Sequence, residues 1–325
     1  MQKRALWPFF RFGEPNVMLN QHQQYFRGIL AIVGASVIWG TTGTAASFAP
    51  GVSALAIGAF AMGVGGVLLV LHAWGELSRD KALLLKHRRL LLIGGLSVAI
   101  YPLAFYSSMR LSGVAIGTVI SIASAPLFTV LLECLISRKA VSRRWGVSFV
   151  LGAAGIVLLA LGRSPAVGAE SSSAMPAMGV ALGLLAGLTY ALYSWVARDL
   201  IEQGVDSSSA MASMFGLAAM ILLPTLAVTG HNLFATFTHA GVALYMAIVP
   251  MFVGYLCFAY GLRYIAASTA TLITLLEPVV AVVFAVLVVG EWLSLAGWAG
   301  IPLIMLSLLL QTLRLPLRKG ARADR

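Results

Sequence analysis

Almost every charged residue of this chain falls in short breaks between apolar runs of transmembrane length, and that spacing restricts the fold more than any motif does. A helix crossing a hydrocarbon layer about 30 Å thick needs roughly 20 mostly apolar residues, because each residue rises about 1.5 Å. Bounded by charges and by Pro, Gly or Ser clusters, the runs fall at 28–48, 53–74, 90–110, 113–136 and 145–162, then at 177–197, 209–229, 241–262, 266–289 and 294–313. Charged residues make up 10% of the chain, against about a quarter in a soluble domain. The expected fold class is an all-α membrane protein of ten transmembrane helices, whose loops leave no room for a soluble domain. Its function must then lie within the bilayer.

Orientation follows from the cations. With a cytoplasmic amino terminus, 20 of the 22 Lys and Arg residues lie on the cytoplasmic side, and only Arg110 and Arg163 lie opposite. Positive-inside insertion produces this asymmetry, and miscounting the helices by one would scatter it. The net charge of +11 is thereby assigned to loops beside anionic membrane lipid, and no nucleic-acid partner is expected. Residues 1–27 read as a basic cytoplasmic arm, since Ala5–Phe10 is too short for a signal-peptide core and Pro8 interrupts it. Residues 314–325 read as a basic cytoplasmic tail. Trp74, Trp145 and Trp195 fall at cytoplasmic ends, and Trp292 and Trp298 at the other face, where interfacial aromatics are expected. Trp39 lies inside the first run.

The longest polar interruption, 163–176, separates two sets of five spans, 28–162 and 177–313. Weak self-similarity links them at a nearly constant offset. Trp39 aligns with Tyr190, Arg110 with Arg263, Pro126 with Pro278, and Trp145 with Trp298. Five is odd, so the second set enters the membrane from the opposite face and the halves form an inverted repeat. Inverted repeats give a carrier two related end states around a midplane site.

Trp39-Gly40, Pro126-Leu127-Phe128-Thr129, and Glu277-Pro278-Val279-Val280-Ala281 followed by Gly290-Glu291 resemble the EamA family of the drug/metabolite transporter (DMT) superfamily. The resemblance runs from about 28 to 313, as two EamA repeats. It implies a ten-helix bundle with both termini in the cytoplasm, a central cavity lined by both halves, and export of amino acids or other small metabolites. One departure is that Lys139 occupies the first-repeat place of Glu291.

Glu277 is the one ionisable residue expected near the bilayer centre. A carboxylate there costs roughly 2.5 to 3.5 kcal/mol on insertion scales, so it should face protein or water. Pro278 removes a backbone donor and weakens the turn before it. Thr274 shares the face of Glu277 one turn earlier. Two readings of Glu277 stand: it binds a substrate ammonium or carries a coupling proton, or it braces a broken helix. At the matching place, Ser121 and Ser124 precede Pro126 and offer either a polar cavity face or simple helix packing. The Gly179, Gly183 and Gly187 spacing reads as packing. Trp39, Tyr101, Tyr190 and Tyr255 are mid-span aromatics, suited either to a cavity wall or to the bundle core. Glu133 sits near the cytoplasmic end of the fourth run, where it reads as an anchor to interfacial water or the basic loop.

Cys134 and Cys257 lie in apolar runs, the His residues lack ligand spacing, and no metal or other cofactor is expected. There is no P-loop, which points to a secondary carrier. An intramembrane protease or lipid transferase would need a nucleophile–base pair or a metal site, and no motif for either is present, so enzymatic activity is not expected. A passive channel would need a continuous polar lining, and the spans are apolar. The expected partners are a small-molecule substrate, lipid and protons; oligomeric state is open, a homodimer included. The expected location is a bacterial cytoplasmic membrane.

Overall fold

A computed structural model of the protein describes residues 21–162, 176–290 and 292–312. The expected arm, connecting loop and tail, together with Arg163 and Glu291, lie mostly or wholly outside them. Among the described residues the fold is entirely helical apart from short connections, and ten helices are long and apolar enough to cross a membrane: Gln23–Ser47, Ala54–His72, Arg88–Ser112, Ile116–Leu135, Arg143–Leu161, Ala177–Glu202, Ser207–Thr229, Phe237–Leu262, Ala267–Val289 and Leu295–Thr312. This is a multi-pass membrane protein, with each span where the run lengths place it.

Local chemistry sets several of the boundaries. Ser142, Asp206 and Thr236 each accept a hydrogen bond from a backbone N–H in the first turn that follows, at 3.1, 2.8 and 3.1 Å. The polar stretch between the second and third spans forms a helix of its own, Trp74–Lys86. Its charges keep it out of the bilayer, and Asp80 ties it to the seventh span by accepting from the Asp206 N–H at 2.9 Å.

The spans pair in a pattern that maps onto itself when the halves are exchanged. The third span packs on the sixth, and the eighth on the first; the fourth packs on the sixth, and the ninth on the first. The second, fourth and fifth spans pack on their own counterparts, the seventh, ninth and tenth. Counterparts run antiparallel. Ser307 Oγ donates to the Ser148 carbonyl at 2.6 Å at one end of the fifth–tenth pair, and the Ser294 N–H donates to the Gly162 carbonyl at 2.9 Å at the other. Between them Gly155 and Gly300 cross so closely that a Cβ on Gly300 would collide with the Gly155 carbonyl oxygen. Antiparallel counterparts mean that the two five-helix repeats are inverted relative to each other.

Large apolar side chains such as Leu71, Leu161, Met220, Val228 and Leu287 point outward, as a lipid-facing surface requires. Trp74, Trp292 and Trp298 are exposed as expected. Trp145 and Trp195 are not at an aromatic belt: both are buried, with indole N–H groups donating to the Ser268 carbonyl at 3.1 Å and to Ser137 Oγ at 2.9 Å. A position at a span's end fixes depth, whereas rotation about the helix axis turned these two rings inward.

Candidate functional site

Six spans converge on a chamber near mid-bundle, the second through Gly58, Ala61 and Met62, and four of the six are locally irregular or carry a proline there. The first helix breaks after Trp39-Gly40, at Thr41. The third carries Pro102 between Tyr101 and Phe105. In the eighth, Pro250 sits inside a π-helical segment, Ala247–Val253. Proline cannot donate to the preceding turn, and a widened turn accommodates that loss. The ninth tightens to a 3-10 turn, Thr274–Leu276, directly before Glu277-Pro278, which is the weakened turn expected from Pro278. The sixth, which brings Tyr190, is an unbroken α-helix. The fourth span stays α-helical through Pro126.

The chamber, a cavity of about 70 Å³, is walled by Trp39, Tyr101, Tyr106, Tyr190, Tyr255 and Glu277. It adjoins a vestibule of about 320 Å³ that shares Trp39, Phe105, Tyr106, Met246 and Glu277. The vestibule alone falls in the range of small-molecule sites, about 300 to 1,000 Å³. It is lined by Ala46 at the end of the first span, Ala54 at the start of the second, Met109 near the end of the third, Thr118 near the start of the fourth and Ala160 near the end of the fifth. These positions share one membrane face, so the cavity widens toward that face.

Most polar handles of the aromatic wall are already used to fix its geometry. Trp39 Nε1 donates to the Pro250 carbonyl at 2.8 Å, and its ring centroid lies 4.8 Å from that of Tyr255. The Tyr190 hydroxyl donates to Thr274 Oγ1 at 3.0 Å, and the hydroxyls of Tyr193 and Tyr255 bond each other at 3.0 Å. Tyr190 and Tyr193 stack at 5.2 Å, and Tyr101 lies 5.6 Å from Tyr190. Glu277 is the one charged side chain lining either space. No described residue forms a hydrogen bond or ion pair with its carboxylate.

The structure therefore brings Trp39, Tyr101, Tyr190, Tyr255 and Glu277 together, with Thr274 behind Tyr190. Ser121 and Ser124 line neither space. They pack against the sixth span, where a Cβ on Gly187 would collide with Ser124 Oγ and lie 2.9 Å from the Ser121 carbonyl oxygen. Close approach of small residues sets that contact. Tyr193 and Phe105 lie one turn after Tyr190 and Tyr101 on the same helical faces, a spacing that could have found them. Tyr106 and Met246 had no such signal.

The EamA-like transporter family model matches residues 26–161 and again 177–313, one match for each five-span half. The chain is 31% identical over 281 residues to the uncharacterized transporter YwfM of Bacillus subtilis (strain 168), a match covering 86% of this chain and 92% of that protein. An uncharacterized transporter of Clostridium kluyveri is 28% identical over 184 residues, covering 55% of this chain and 58% of its own. A solved crystal structure shares the fold at a TM-score of 0.72 and 16% identity, covering 87% of this chain and 95% of that one. With two family repeats filling its two inverted halves around a shared cavity, the chain belongs to the EamA-like transporter family of the drug/metabolite transporter superfamily.

Proposed function

We propose that the protein is a secondary carrier that exports a small organic metabolite bearing a protonated amine, such as an amino acid or derivative, across a bacterial cytoplasmic membrane by alternating access. In this reading both termini lie in the cytoplasm, which makes the face toward which the cavity widens the external one. One observation carries the reading: a single carboxylate, Glu277, projects without a partner among the described residues into an aromatic chamber between the two inverted halves. A desolvated carboxylate needs a cation, and the partner that the described residues do not give it is one that a substrate ammonium or a transported proton supplies. The surrounding rings favour a cation as well, through their electron-rich faces. No described Lys or Arg lines the cavity, which disfavours phosphorylated solutes. The hydroxyls of Tyr101 and Tyr106 make no hydrogen bond with described residues and can donate to a substrate carboxylate.

The test is counterflow. Proteoliposomes preloaded with an unlabelled amine or amino acid should accumulate external labelled solute transiently, because exchange requires a binding site presented to alternate faces. Substrates are found by comparing metabolites retained in cells lacking the protein with those in cells where it is restored. Flux that runs only down the gradient, with no acceleration by solute on the opposite side, would mean a channel and end the proposal.

A further inference from the structure

The transport site leaves a second buried carboxylate unused. Glu133, near the end of the fourth span, is 5% exposed; its backbone carbonyl accepts from the Lys139 N–H at 2.9 Å, but its carboxylate turns inward and does not anchor the basic loop, contrary to the expectation from the sequence. Its two oxygens go to one residue of the opposite half: Oε1 accepts from the Ser268 N–H at 3.2 Å, and Oε2 accepts from Ser268 Oγ. Ser268 is in the first turn of the ninth span, so the carboxylate seats on a helix amino terminus, where unpaired N–H groups and the helix dipole favour negative charge. Trp145 fixes Ser268 from its other side through the indole bond to its carbonyl. All of this lies at the membrane face opposite the one toward which the cavity widens. The same face carries further links between the halves and between neighbouring spans: Arg198 donates to the Leu262 carbonyl at 2.5 Å, and Lys139 pairs with Glu202 at 2.7 Å.

We infer that Glu133 is a positioning residue that clasps the first half to the ninth span, holding this face of the cavity shut; opening the site to that face requires its release from Ser268. The repeat offers no matching clasp at the open face. Counting from the aligned prolines Pro126 and Pro278, the place of Glu133 falls on Ala285, with Phe284 and Val286 beside it, all apolar. The closed face is thus held by a charge-assisted contact that the open face lacks, and the state seen here is the favoured one. This inference rests on the alternating-access reading above, and the experiment separates the two.

In a background of Cys134→Ser and Cys257→Ser, Thr271→Cys places a thiol three residues beyond Ser268 at a fully buried position. A membrane-impermeant thiol reagent is applied from each face in oriented vesicles. A glutamine can still accept from the Ser268 N–H and donate to its Oγ, but it carries no charge, so Glu133→Gln forfeits the charge assistance of the contact; labelling from the closed face should rise roughly tenfold, about the difference between a charged and a neutral hydrogen-bonded contact. Ser268→Ala should move it the same way. Unchanged labelling, or an equal rise from both faces, would overturn the clasp, the latter marking a general loss of packing. Separately, Glu133→Cys with Ser268→Cys is bridged by a short bifunctional thiol reagent. A bridged protein that still performs counterflow refutes the clasp alone, since exchange then proceeds without separation of the two residues, whereas unbridged protein that shows no counterflow refutes alternating access itself.

Discussion

Replacing Glu277 by glutamine tests whether its carboxylate serves transport or the fold, because the two roles predict opposite signs for stability. Glutamine keeps the shape and removes the charge. In the structure no described protein group bonds the carboxylate, so the substitution sacrifices no internal contact. It relieves the burden of a carboxylate at mid-bundle, about 2.5 to 3.5 kcal/mol for a lipid-facing site on insertion scales and less here because the side chain opens on a cavity. Stability should therefore hold or rise by up to about 2 kcal/mol. A carboxyl that braced the broken ninth span would instead lose a buried hydrogen bond, at a cost of about 1 to 3 kcal/mol. Transport responds the other way: losing a charge-assisted contact worth about 1.5 to 3 kcal/mol raises the KM for an amine substrate roughly tenfold to a hundredfold. Thermal unfolding in detergent reads the first effect, and counterflow over a substrate titration reads the second. If the coupling ion is a proton, an imposed pH gradient should also cease to drive flux in Glu277→Gln. A variant that unfolds several degrees lower while keeping the wild-type KM and its response to the gradient would refute this reasoning and return Glu277 to a bracing role.

Other substitutions separate wall from scaffold. Trp39→Phe keeps an aromatic ring but leaves the Pro250 carbonyl without its indole donor; a stability loss of about 1 to 2 kcal/mol is expected in thermal unfolding, together with slower counterflow as the first and eighth spans lose register. Gly187→Val must displace Ser124 and meets the Ser121 carbonyl; destabilisation of about 1 to 3 kcal/mol should follow, while Ser124→Ala should leave the KM unchanged, since Ser124 faces packing and not the cavity. Lys139→Ala removes an ion pair that is more than a third exposed on both sides; less than about 1 kcal/mol is expected in the same unfolding assay, because solvent screens such pairs.

Depth along the membrane normal is legible in this sequence, and rotation about each helix is not. Run length gives all ten spans, and their odd number per half gives the inversion that the antiparallel fifth and tenth spans display. A charge inside a run and a proline beside it single out Glu277-Pro278, and mid-run placement singles out Trp39, Tyr101, Tyr190 and Tyr255. Two residues at equal depth can face opposite ways, however, when the spans are apolar all round and carry little periodic signal. Ser124 and Tyr190 lie on neighbouring spans, yet only the tyrosine reaches the cavity. Trp145 and Trp298 align between the repeats, yet one is buried and the other exposed. The Glu133 carboxylate does not anchor the loop beside it because its partner lies 135 residues away in the chain, a separation across which no local pattern can signal a bond.

The departures from two-fold symmetry are themselves informative. A perfectly duplicated carrier would weight its two end states equally, with a matching group in each half. In this chain the place of Glu277 is taken in the first half by Ala125, and the fourth span runs α-helical through Pro126 where the ninth tightens before Pro278. The one charged side chain among the described residues lining the cavity comes from one half alone, so a cation bound as proposed would meet a single charged wall. The clasp is equally one-sided, since the carboxylate of the first half grips the ninth span at one face and only apolar residues occupy the matching place at the other. The ninth span thus holds Glu277, the proposed counter-charge, near its middle and Ser268 in its first turn, about two and a half helical turns apart. Movement of this one span can therefore link occupancy of Glu277 to release of Ser268, which gives the closed face a physical reason to open when the site is filled.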